Sequence, residues 1–261
     1  MKTIITHFYN EEYLLPWWLE HHKKYFDNGI LIDYNSTDTS RRIINKICPN
    51  WKIVQSFNRD FGAESCDKEV EYYERQIQGW RIALTVTEFL VGDINKLTQP
   101  SLEKKQYIIP EIRFAAWDLT GKLDKDRLLW QQIKTGVPYT DIKNAHSPRS
   151  MHNFNDMIYP IRGRHYQQGT YTTEDAIIFH YAHSVIGLDM LKRKLQIQTR
   201  MAKGDVLGGE LGWQHTFRGK GLDVASAKIL HDENFNVGVV DCTDIINNIV
   251  EKSENSNHTF L

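Results

Sequence analysis

The chain has little cysteine and no arrangement that would use it. Cys48, Cys66 and Cys242 are the 3 cysteines among 261 residues. They are too few and too scattered for a disulfide framework, and they lack the CxxC spacing of a structural zinc site. An odd count suits a reducing compartment. Long apolar runs are missing too, since no window approaches the roughly 18 consecutive apolar residues of a membrane span. The N-terminal MKTIITHFYNEEYLL carries a lysine but no extended apolar stretch, because His7, Asn10, Glu11 and Glu12 interrupt it. It does not read as a secretory signal, and a soluble, cytoplasmic protein is expected. Net charge is almost absent, with 32 Lys+Arg against 33 Asp+Glu. That balance argues against a general nucleic-acid binder. No internal repeat, low-complexity tract or obvious linker is present. No glycine-rich phosphate loop follows a buried strand either: Gly208-Gly209 and Gly219-Lys220-Gly221 read as turns or a lid.

What is present is a globular composition, 41% apolar and 25% charged, on a chain long enough to bury a core without disulfides or metal. Its first hundred residues alternate strand and helix signals. Lys2–Phe8 reads as a strand, and Glu11–Phe26 as a helix ended by Gly29. Ile30–Asp33 is a second strand, followed by a helix capped by Ser36 or Thr37 and running to about Ile47. Trp51–Gln55, Glu64–Gln78 and Trp80–Val86 continue as strand, helix, strand. Such alternation implies βαβ units and a mainly parallel sheet, with ligands at the carboxyl ends of the strands. Those ends are His7–Glu11, Asp33–Asp38 and Thr85–Glu88.

Further on, Tyr107–Phe114 reads as a strand, Asp124–Lys134 as a helix, and Thr135–Thr173 as a long aromatic, histidine-rich loop. Ala176–Tyr181 is a strand, Val185–Lys203 an amphipathic helix and Thr243–Lys252 a last helix.

Two elements carry a resemblance. Asn10-Glu11-Glu12 precedes a helix, and Asp33-Tyr34-Asn35-Ser36-Thr37-Asp38-Thr39-Ser40 follows the second strand. In order, spacing and expected secondary structure they resemble the GT-A glycosyltransferases of the family 2-like and family 92-like group, with their strand–NE–helix opening and D-x-x-S-T-D-x-S turn. The resemblance implies a single GT-A-like (Rossmann-type) α/β domain over 1–261 with an elaborated C-terminal half. It divides into a nucleotide-binding half at 1–100, an acceptor-binding and catalytic half at 101–240, and a frayed tail at 253–261. It also implies transfer of a sugar from a nucleotide-sugar donor, most simply UDP-linked, to a saccharide acceptor. On this reading Asp33 accepts hydrogen bonds from a uracil N–H or a ribose hydroxyl, and His7 and Tyr9 flank the base. Glu11 belongs to the same donor site, and Asp38 either binds donor or only supports a helix start.

In the resembling proteins the fourth strand ends D-x-D-E-F-L, and the two aspartates hold a divalent cation on the donor diphosphate. Here Thr85-Val86-Thr87 stands in that place, before Glu88-Phe89-Leu90. Neutral hydroxyls cannot replace carboxylates as ligands for a hard cation. The expectation is that no metal is required, a manganese or magnesium site on Glu88 with Asp93 being the weak alternative. Positive charge would then come from elsewhere. Residues 141–220 hold 11 Lys+Arg against 7 Asp+Glu, and 6 of the 11 histidines. Arg149, Arg162, Arg164, Lys192 and Lys194 are the diphosphate candidates, Arg162 and Arg164, in a glycine-containing loop, being the better ones. Lys192, Arg193 and Lys194 read rather as the solvated face of a helix. The segment from Ile178 through His180 and Tyr181 to Lys194 resembles a late HY…S…K element of the same proteins, which implies a phosphate contact for His180.

Inverting transfer needs a carboxylate to take the acceptor's proton. Glu174 and Asp175 are the nearest match to the family's E-D pair, and Asp118 is the other candidate. Trp117 and Trp213 offer apolar faces for acceptor sugars, whereas Trp17 and Trp18 read as core. A catalytically inactive nucleotide- or glycan-binding module is the competing reading. The identity of donor sugar and acceptor, and the oligomeric state, stay open.

Overall fold

The computed structural model describes residues 1–114, 123–139, 148–159, 163–164, 171–181, 188–202 and 238–257. The strands are β1 (Lys2–Phe8), β2 (Asn28–Asp33), β3 (Lys52–Gln55), β4 (Trp80–Ala83), β5 (Glu88–Gly92), β6 (Gln106–Ile109), β7 (Glu111–Phe114), β8 (Thr135–Tyr139), β9 (Arg149–His152), β10 (Tyr171–Thr172), β11 (Ala176–His180) and β12 (Val240–Asp241). The helices are α1 (Leu15–His22), α2 (Ser40–Ile47), α3 (Ala63–Glu74), α4 (Ile94–Leu97), α5 (Leu129–Gln132), α6 (Leu188–Gln198) and α7 (Thr243–Asn257).

They form a mixed α/β structure on two sheets. A 7-stranded sheet has the order β10-β6-β9-β4-β1-β2-β3, and a 5-stranded sheet the order β12-β8-β7-β11-β5. The stretch β4-β1-β2-β3 is parallel, as the strand–helix alternation requires. Antiparallel pairs enter with β9 and with the second sheet. A parallel stretch must be covered on both faces, and β1 shows how the sequence arranges that. Ile4 and Phe8 join the core under α1 with Trp18 and Leu31, whereas Ile5 joins the core under α3 with Ile32, Val70 and Tyr73. The period of two puts successive side chains on opposite faces. Trp17 and Trp18 are buried, as expected for that helix.

The differences from the sequence reading have local causes. The first helix begins only at Leu15, and the Glu11 and Glu12 N–H groups before it donate to Ser40 Oγ and Asp38 Oδ2. Gly29 is not a helix stop but part of β2, where the Trp51 ring lies against its α-carbon and leaves no room for a Cβ. Trp80–Val86 is not one strand: β4 ends at Ala83, Thr85–Thr87 lie in the connection, and β5 enters the second sheet. Tyr107–Phe114 likewise divides at Pro110, which has no N–H to give a ladder, into β6 of one sheet and β7 of the other. The expected helix at 124–134 is the single turn α5, and the loop expected at 135–173 contains β8, β9 and β10. The last helix runs to Asn257, past the expected start of a frayed tail, with Ser253 hydrogen-bonded to Tyr25 at 2.7 Å. Among the described residues, no helix is long and apolar enough to cross a membrane.

Candidate functional site

The parallel strands β1, β2 and β4 end side by side, with Phe8 paired to Asp33 and Ile5 to Ala83. The two sequence elements after β1 and β2 clasp each other there. Asn10 adopts a left-handed backbone, φ 52°, which asparagine tolerates better than most residues. Its side-chain carbonyl accepts from the N–H groups of Thr37 (2.8 Å) and Asp38 (3.2 Å), and its own N–H donates to Ser36 Oγ at 3.0 Å. Glu12 accepts from the Thr39 N–H and hydroxyl at 3.1 and 2.7 Å. Asp38 accepts from the Glu12 and Ser40 N–H groups. It therefore holds the loops together. Asp33 is buried at the strand end, accepting from the Ser36 N–H at 2.8 Å and from Arg41 at 2.5 Å.

Aromatic side chains line the same edge. Phe61 stacks on Tyr34 with centroids 4.2 Å apart, and His7 meets the edges of both rings. The Arg200 guanidinium lies 4.9 Å from the Tyr9 ring and donates to the Tyr34 carbonyl at 2.8 Å. His7 is held neutral: burial pushes its pKa down to about 3, helped by Arg164 and Arg149.

At the end of β4, the Thr85 and Thr87 hydroxyls touch at 2.8 Å. They share a face as the sequence suggests, although in a connection and not in a strand. Behind them Glu88 is fully buried and bound by Arg149 through Nε at 3.0 Å to each oxygen and Nη2 at 2.7 Å. The Thr85 N–H adds a bond of 2.8 Å. Burial pushes the Glu88 carboxyl up, but Arg149, His180 and these bonds outweigh it and hold it at about 2.

Around this turn stand further charged groups. His180 pairs across the ladder with Glu88 and hydrogen-bonds Glu111 at 3.0 Å, while Arg113 reaches the other Glu111 oxygen at 3.2 Å. Arg164, also left-handed at φ 58°, is ion-paired with Asp67 at 2.8 Å, and Asp67 accepts from the Gly163 N–H at 2.7 Å. Glu11 is bound bidentately by Arg193 at 2.6 Å on each oxygen. Arg193 and Lys194 are thus buried and do not belong to a solvated helix face, as the sequence suggested; Lys192 is exposed.

His7, Thr85, Thr87, Arg164 and His180 therefore gather as the sequence indicated, joined by Arg149 and Glu88. Glu174 and Asp175 do not. Gly92 pairs with Ala176 and Glu88 with His180, so these acids lie at the far end of the ladder, roughly 16 Å along the strands at about 3.3 Å per residue. There Asp175 meets Lys96 at 2.9 Å, and the Glu174 carbonyl accepts from Lys252 at 3.1 Å. Asp93 lies at that far end too, capping α4, so it cannot share a cation with Glu88. Asp118, Arg162, Trp117 and Trp213 lie outside the described residues.

Among the described residues, the donor set at this turn does not fit a divalent cation. Two hydroxyls bonded to each other and one carboxylate covered by a guanidinium offer no free charged oxygen. Among the described residues no group of 3 or more His, Cys, Asp or Glu could hold a metal ion. Glu111, Asp67 and Arg113 are site residues that the sequence reading missed. For Glu111 and Arg113 a charged residue within a short strand was the only signal, and Asp67, inside α3, carried none.

No family model matches the chain, and no curated protein sequence matches it significantly. Solved structures do show likeness. The chain is similar to S. aureus TarS 1-349, at 14% identity over 90% of this chain and 72% of that one, with a TM-score of 0.39. For that protein in complex with UDP-GlcNAc the values are 13%, 90%, 71% and 0.41. For the glucosyl-3-phosphoglycerate synthase from Mycobacterium tuberculosis, in complex with Mn2+, UDP and glucosyl-3-phosphoglycerate, they are 11%, 45%, 44% and 0.30.

Proposed function

We propose that the chain is a glycosyltransferase that moves a sugar from a nucleotide-sugar donor, UDP-linked, to a saccharide acceptor. The observation that carries this reading is the convergence at one strand edge of the clasped Asn10–Glu12 and Asp33–Ser40 loops with the Thr85–Thr87 turn. The first pair resembles the nucleotide-binding signature of GT-A enzymes. The turn takes the place of their diphosphate site, and ligands of such sheets bind at the carboxyl ends of the strands.

In this reading the aromatic group of Tyr9, Tyr34 and Phe61 flanks the base. The Thr85 and Thr87 hydroxyls donate to phosphate oxygens, and the His180 ring, its Nδ1 bonded to Glu111, donates to phosphate through Nε2 as the imidazolium. As the acceptor hydroxyl attacks the anomeric carbon, the bond from that carbon to the phosphate oxygen breaks. The nucleoside diphosphate leaves with one more negative charge, which fixed donors and cations stabilise in place of a divalent ion. The acceptor's proton goes to a carboxylate, for which Asp118 is the remaining candidate.

Turnover and hydrolysis of UDP-sugars in EDTA and in added manganese test the reading. Equal rates in both are expected, and activity only with manganese overturns the metal-free mechanism. The missing acids and the covered Glu88 favour one alternative, a module that binds nucleotide without turning it over. UDP binding with no hydrolysis or transfer of any UDP-sugar would establish that alternative.

A further inference from the structure

Helix α6 presents two adjacent cations inward, and only one of them is answered. Arg193 is bound by both oxygens of Glu11. Lys194 beside it is 1% exposed, and among the described residues it has no hydrogen-bond or ion-pair partner. The charged groups that face it are Glu11 from the loop after β1, Arg113 from β7 and Arg193 on its own helix. Glu11 is already committed to Arg193, and Glu111, the carboxylate beside Arg113, serves Arg113 and His180. Among the described residues, three basic side chains thus face two carboxylates. Burying a charge without a counter-charge is among the costlier things a fold can do.

We propose that Lys194 is the counter-charge for the diphosphate of the donor nucleotide, and that the anion missing from this cluster is that phosphate group. The inference rests on the functional reading above and names the side chain that does what a cation would do elsewhere. Position supports it. Glu11 follows β1, and Arg113 lies on β7 opposite His180, itself opposite Glu88 of β5, so the groups that face Lys194 come from elements bordering the strand ends where the Thr85–Thr87 turn lies. An ammonium suits this task because it is a compact charge able to donate to several phosphate oxygens at once. Without ligand, burial drives Lys194 well below its usual pKa, and Arg193 and Arg113 push the same way against Glu11. An arriving phosphate reverses that balance, so the lysine takes up a proton as the nucleotide binds.

Titration calorimetry at pH 8 with UDP and with uridine, each in two buffers of different ionisation heat, tests this. At that pH the UDP phosphates carry almost no proton of their own. Wild type is expected to bind UDP more tightly than uridine and to take up a proton with UDP only. Lys194→Met should bind uridine as before and lose roughly tenfold to hundredfold in UDP affinity, the scale of a charge-assisted contact. Lys194→Arg, whose guanidinium is always charged, should keep UDP binding but show no proton uptake. This second variant decides the matter if the methionine variant does not fold. Unchanged UDP affinity in Lys194→Met, or undiminished proton uptake in Lys194→Arg, overturns the role of Lys194 and leaves the functional reading standing. A wild type that binds neither UDP nor uridine overturns that reading and this one with it.

Discussion

Arg149 and Glu88 form the pair on which the site's chemistry turns. Glu88, the carboxylate of the weaker metal alternative, is here neutralised from behind by a guanidinium, both side chains being almost fully buried. The pair keeps Glu88 ionised yet unavailable, and it locks the Thr85 N–H through the second oxygen. Removing one partner strands the other charge in the interior. Arg149→Met should lower unfolding free energy by about 3–5 kcal/mol, whereas Glu88→Gln combined with Arg149→Met should recover much of that loss. Urea unfolding of the two variants checks this, and a double variant as unstable as the single one would contradict it. The pair was not legible in the sequence. Its members are 61 positions apart, and nothing local separates a buried arginine from a surface one.

At the scale of elements, four strands were legible: Lys2–Phe8 matches β1, and β2, β3 and β11 differ from expectation by a residue or two, whereas β8, β9 and β10 fall in the expected loop and β12 was not expected. Strands that pass from one sheet to the other were not. β4 and β5, like β6 and β7, form a mostly buried run across the break, so burial does not mark where one strand ends and the next begins. Only the pairing partner distinguishes them. Gly29 teaches the same lesson. A glycine after an amphipathic stretch reads as a helix stop, while its actual constraint is the Trp51 ring packed on β2. Gly29→Ala should therefore cost about 1–3 kcal/mol by overpacking, and Gly29→Ala combined with Trp51→Leu less than the sum of the two single changes. A double-mutant cycle in denaturant is the measurement, and strict additivity would refute the contact.

For the whole molecule, the acid response follows from two histidines withdrawn from water, His7, half-buried on the sheet, and His21, buried under it. Burial lowers the pKa of His7 to about 3 and of His21 to about 4 in the folded state, against about 6.5 in an unfolded chain. Below pH 6.5 the unfolded chain binds protons that the folded one refuses, so stability present at neutral pH is lost as pH falls. The loss is about 1.4 kcal/mol per pH unit for each histidine, or about 4 kcal/mol for the two between pH 7 and 5. It levels off below about pH 4 for His21 and about pH 3 for His7. Thermal melts followed by circular dichroism across pH 5–7 should show a steadily falling Tm. A flat profile would mean that these rings are solvated.

The sequence by itself determined the α/β class, the strand edge at which the candidate site lies, the two loop segments that meet there and the pair of threonines, Thr85 and Thr87, beside them. These are local features, written in residues a few positions apart. It also hinted that a neutral total hides a basic, histidine-rich stretch at 141–220, from which Arg149, Arg164, His180, Arg193 and Lys194 come. Only the tertiary structure decided what that charge does. Arg193 reaches Glu11 across 182 positions, Arg164 is spent on Asp67, Arg149 on Glu88, and Lys194 is left without a partner among the described residues. Whether a charge is matched depends on which other charge the fold brings within a few ångströms, and that distance is set by packing between elements far apart in the chain.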